Sequence, residues 1–77
     1  MIYFKKTDYF YCKLDPSTFT FWEVLSGSDQ AKVTKITNEE LYNEMLQRIE
    51  TYAFTIVTSE EFSSFFNYVT TRINSEY

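Results

Sequence analysis

Apolar and polar residues alternate along the first half of the chain, and apolar residues recur at helical spacing along the second. In DYFYCKL, residues 8–14, Phe10, Cys12 and Leu14 alternate with Tyr9, Tyr11 and Lys13, the period of a strand with one drier face. DPST follows as a turn: Asp15 can accept from the backbone two residues on, and Pro16 presets the dihedral at the second position of a type I turn. FTFWEVL, residues 19–25, is the return strand, with two registers open to it. A four-residue loop sets Phe19 and Phe21 beside Leu14 and Cys12, whereas one bulged residue substitutes Trp22 and Val24. We favour Trp22 and Val24 inside, which turns Phe21 outward. SGSDQ, with the only Gly, makes the second turn, and AKVTKI, residues 31–36, is a shorter third strand. Its Lys32 and Lys35 suit a sheet edge, where charge deters further pairing.

Two nearly identical phrases then follow, ITNEEL at 36–41 and VTSEEF at 57–62. Thr37 with Glu40, and Thr58 with Glu61, have the spacing of a capping box. Ile36 with Leu41, and Val57 with Phe62, have that of a hydrophobic staple. The glutamates also favour the positive end of a helix dipole. Leu41, Tyr42, Met45, Leu46 and Ile49 share one helical face, and Phe62, Phe65, Phe66, Val69 and Ile73 another. AFTIV, residues 53–57, is an extended link that can add a short strand. These elements predict one α+β domain over 1–77: an antiparallel three-stranded β-meander (1–36), then two amphipathic helices (37–77) packed on one face of it. The expected core is Phe10, Cys12, Leu14, Trp22, Val24, Val33, Ile36, Leu41, Met45, Ile49, Phe62, Phe66, Val69 and Ile73.

Composition changes this picture in one respect. Eight Phe, seven Tyr and one Trp make 21% of a 77-residue chain, more rings than so small a core can enclose. The surplus points to a partner surface, a protein contact or self-association, which we place at Tyr3, Tyr9, Tyr11, Lys13 and Phe21. Tyr3, Tyr9 and Tyr11 with Lys5, Lys6 and Lys13 also interleave rings and cations, the mixture used by single-stranded nucleic-acid binders. Charge opposes that alternative. Residues 1–36 carry five Lys against four acids (+1) and residues 37–77 two Arg against seven acids (−5), which sum to −4. A duplex-binding domain would carry a basic field instead.

Little in the chain suggests chemistry. Paired carboxylates can divide acid and base duties only in a cleft that pushes their pKa values apart. Glu39, Glu40, Glu60 and Glu61 are instead expected at solvated helix starts. With no His there is no ordinary triad and no zinc site of the usual kind. Cys12 reads as a small buried hydrophobe, and a lone Cys fits a reducing compartment. One Gly cannot build a phosphate-cradling loop. We therefore expect no enzyme, catalytic residue, metal, cofactor or small-molecule substrate. MIYFKKTDYF lacks the long apolar core of a signal peptide, and no run is long enough to span a bilayer. An intracellular, non-secreted protein with no membrane association is the expectation.

The order YFYCKLDPS, FTFWEVL, a third strand closing on KIT, and VTSEEFSSFFNYVTTRI at the C-terminus resembles small proteins of tailed bacteriophages of gut bacteria, the crAss-like phages among them. Those proteins often pair a Tyr-rich hairpin with a terminal helix of the ITxEEF kind. The likeness spans most of the chain, although the helical middle, LYNEMLQRIETYA, is longer than in the shortest of them. It implies a virion component or an accessory protein acting on the host, located in the virion or the host cytoplasm, and carries over no functional residue. The functional expectation is a non-enzymatic protein-binding module, a phage virion structural or capsid-associated subunit. The alternatives are a small inhibitor of a host or defence enzyme acting through its acidic helical face and, more weakly, a single-stranded nucleic-acid binder.

Overall fold

The computed structural model describes residues 1–75. Strands β1 (Ile2–Thr7), β2 (Phe10–Asp15), β3 (Thr20–Ser26) and β4 (Ala31–Thr37) form an antiparallel meander. Helix α1 (Glu39–Thr51) leads to the two-residue β5 (Thr55–Ile56), and α2 (Ser59–Ser75) follows. The sheet has five strands in the order β4-β3-β2-β1-β5, so β4 is the expected edge and the extended link does add a strand. The α+β class therefore stands, but the sheet is larger than a three-stranded meander. The additional long strand is β1. Its alternation is broken by a bulge between Lys5 and Thr7. Lys6, the extra residue, reaches Glu23 at 3.4 Å and lies over the Phe10 ring at 4.7 Å.

Helix placement corrects the expectation more deeply, because the two helices lie on opposite faces. Cross-strand pairs set Phe4 beside Cys12 and Leu14 beside Phe21 on the first face, where Tyr42 and Met45 of α1 close the core. Val24, opposite Tyr11, points to the second face with Ala31, where Phe62 and Val69 of α2 close another. The two register readings for the first hairpin both assumed one wet face. Leu14 pairs with Phe21 and Asp15 with Thr20, leaving a four-residue loop. With a helix on each side, Phe21 and Val24 are both buried, while Trp22 is only half-buried.

The turns behave as their residues dictate. Asp15 accepts from the Ser17 N–H at 3.0 Å and from its hydroxyl at 2.6 Å. Phe19 closes the loop at φ 49°, in the left-handed region, and its carbonyl accepts from the Asn38 N–H at 3.0 Å. A Cβ on Gly27 would sit 2.9 Å from the Gln30 carbonyl oxygen, which explains the single glycine.

One cap differs from expectation. Asn38, not Thr37, caps α1, its side chain accepting from the Leu41 N–H at 3.0 Å. Thr37 remains in β4, its hydroxyl 2.8 Å from that of Thr20. Leu41 is therefore the third helical residue and 43% exposed, outside the staple foreseen for it, and Glu40 is the second, outside the capping box foreseen for it. In α2 Thr58 is the cap, accepting from the Glu61 N–H at 3.1 Å, and Val57 and Phe62 are buried in one cluster.

Candidate functional site: an aromatic and cationic second face

The acidic helix starts are not assembled into a site. Glu39 and Glu40 follow β4, while Glu60 and Glu61 follow β5, at opposite edges of the sheet, and all four are exposed. Cys12 is fully buried, and burial pushes its thiol up to about 12, the Lys6 charge opposing and the Glu23 charge adding. A thiol so held is protonated at neutral pH and no nucleophile. Among the described residues no group of three or more His, Cys, Asp or Glu could hold a metal ion. Likewise, no helix among them is long and apolar enough to cross a membrane.

The five residues expected to form one interaction surface are divided between core and surface. Phe21 is 3% exposed in the first-face core and offers nothing to a partner. Tyr11 stacks on Phe65 at 4.2 Å, and Tyr3 packs on Phe62 at 5.4 Å, so both hold α2 against the second face. Lys13 lies with its ammonium 4.2 Å from the Trp22 ring centre. Tyr9 alone is well exposed, at 67%, beyond the bulged end of β1. Much of the aromatic surplus is thus spent fixing the second helix.

Tyr9 does have an exposed neighbour. Tyr68 on α2 is 55% exposed, and the two rings line an open groove of about 500 Å³ with Leu25, Ser26 and Gly27. Arg72 in the last turn of α2 donates to Ser26 Oγ at 2.7 Å and to the Gly27 carbonyl at 2.9 Å. The groove therefore joins the two ends of the sequence on a pinned floor. Tyr68 was missed because its only sequence signal is a ring off the apolar stripe of α2.

A second cluster crosses the sheet. Tyr3 pairs with Lys13, Lys13 with Trp22, and Trp22 with Lys35, one row over four strands on the face that α2 covers. Lys35 approaches Trp22 from the far side of the row, 5.5 Å from the ring centre, and Lys13 is also 5.8 Å from Phe62. Tyr3, Lys13 and Trp22 line a cleft of about 310 Å³ against Phe62, Phe66 and Asn67 of α2. Trp22 and Lys35 had been read as core and edge residues; only strand register reveals them as neighbours. No family model, no curated protein and no solved structure matches this chain.

Proposed function

We propose that the protein is a non-enzymatic protein-binding module, and specifically a phage virion structural or capsid-associated subunit. The observation that carries the contact role is the exposed pair Tyr9 and Tyr68 around a groove that also includes Leu25. Two rings with apolar bodies and polar tips suit the centre of an interface, where such residues carry much of the binding energy. The phage assignment draws on the resemblance of the hairpin and terminal-helix segments. Mass spectrometry of purified particles tests it: a structural subunit is present in many copies, and Tyr9→Ala lowers its incorporation by about tenfold or more while the melting temperature holds. Absence from particles rejects the virion role. The second reading, an inhibitor, draws on the outward surface of α1, where Glu40, Glu44 and Glu50 are exposed.

A further inference from the structure

The row Tyr3–Lys13–Trp22–Lys35 and the outer surface of α1 are complementary, and they point in opposite directions. Helix α2 crosses the second face diagonally, from Tyr3 at its first turn to the β3–β4 turn, where Arg72 is anchored. That path leaves the Trp22 end of the face half-open, with Tyr3, Lys13 and Trp22 half-buried and Lys35 exposed. Among the described residues the ion pairs are Lys5–Asp8 and Lys6–Glu23, so Lys13 and Lys35 flank Trp22 with no carboxylate in ion-pair range.

The α1 surface has the opposite character. Glu40, Asn43, Glu44, Gln47 and Glu50 are exposed there, and Leu46 beside them is 39% exposed. Because α1 packs on the first face, this surface cannot reach the lysine row of its own chain.

We propose that the outer face of α1 in one copy docks on the Tyr3–Lys13–Trp22–Lys35 row of the next. Lys13 and Lys35 stand two strands apart, about 10 Å. The carboxylates from Glu40 to Glu50 extend over about 15 Å of helix, enough to serve both ammonium groups. Leu46 supplies an apolar contact for the Trp22 and Phe66 rings. A contact between two different surfaces is head-to-tail, so each added copy leaves one of each surface open. Such an interface closes into a ring or grows as a filament.

Sedimentation of the purified chain tests this. At low salt the mean mass should rise with protein concentration, and it should fall towards the monomer as salt screens the charges. Lys13→Glu with Lys35→Glu, and separately Glu44→Lys with Glu50→Lys, should each weaken association by about a hundredfold or more, since like charges then face each other. Mixing the two variants should restore it, because each then meets its opposite. Lys35→Glu alone, at an exposed position, supplies a variant with no folding burden and should weaken association in the same direction. A monomer at every concentration in low salt overturns the proposal, as does association that ignores the charge swaps. Binding of a labelled single-stranded oligonucleotide, lost in the lysine variants while self-association persists, would assign the row to nucleic acid instead. The row is distinct from the Tyr9 groove, and sedimentation uses no particles. A chain that polymerises yet is absent from virions, or the reverse, separates the two readings.

Discussion

The two faces of the sheet are built from different materials. The first, under α1, is a closed core of Phe4, Cys12, Leu14 and Phe21 sealed by Tyr42 and Met45, all at most 4% exposed. The second, under α2, is closed around Val24, Ala31, Val57, Phe62 and Val69; towards β1 Tyr3 and Tyr11 meet the rings of α2, and towards Trp22 the contacts are cations on rings. Phenylalanine, aliphatic and sulfur side chains fill an enclosed volume well. Rings with polar tips and long cationic stems tolerate a boundary with water. The first face is therefore committed to stability, and the second combines stability with a half-open surface.

The largest expected effect lies in that contrast. Phe4→Ala removes a fully buried ring from the first face and should cost about 3–5 kcal/mol. Trp22→Ala removes a half-buried ring flanked by the ammonium groups of Lys13 and Lys35 and should cost about 1–2 kcal/mol. Urea denaturation of both variants measures the difference. Equal costs would mean that the second face is as closed as the first.

The helix starts sharpen the comparison at a smaller scale. Asn38→Ala, which uncaps the helix over the closed core, and Thr58→Ala, which uncaps the other, should each cost about 0.5–2 kcal/mol. Thr37→Ala should cost about 0.5–1.5 kcal/mol through the lost hydroxyl contact with Thr20, without loss of α1 helicity by circular dichroism. Fraying of α1 in Thr37→Ala but not in Asn38→Ala would return the cap to Thr37.

How much of this was legible follows from the same two faces. Period-two alternation located β2, β3 and β4 within one or two residues, and capping chemistry located α2. Alternation could not say that both sides of the sheet are covered, because a strand buried on both faces has no wet side to identify. Hence Phe21 and Val24 competed for one interior when each has its own. Strand β1 was hidden by Lys6, whose bulge breaks the period, although IYF before it is made of strand-favouring residues. The aromatic surplus implied that some rings lie outside the core, and Tyr9, Tyr52 and Tyr68 are indeed exposed. It could not separate Tyr3 and Tyr11, which pack against α2, from Tyr9, which is exposed. The Lys13–Trp22–Lys35 row joins residues from three strands and is a product of register alone.

The smallest expected effect is a gain, and it arises only on the first face. Helix α1 ends in a Schellman motif: the Phe54 N–H donates to the Ile49 carbonyl at 3.2 Å and the Ala53 N–H to the Glu50 carbonyl at 3.4 Å. Phe54 and Ile49 each pack against the first-face core, the positions at which the motif favours apolar residues. The left-handed position, at φ 51°, is filled by Ala53 where glycine is the usual choice. An L-residue there costs about 1–2 kcal/mol, and glycine's larger unfolded-state entropy returns roughly half of that. Ala53→Gly should therefore stabilise by about 0.5–1 kcal/mol and raise the melting temperature by about 2–8 °C. Among the described residues Phe19 is the other left-handed one, at φ 49°, and glycine should not help there. Its ring meets Tyr42 edge-on at 5.7 Å, so Phe19→Gly would relieve strain but remove a contact that ties the hairpin to α1. A melting temperature that rises in Phe19→Gly and not in Ala53→Gly would show that backbone strain and ring packing had been weighed the wrong way round.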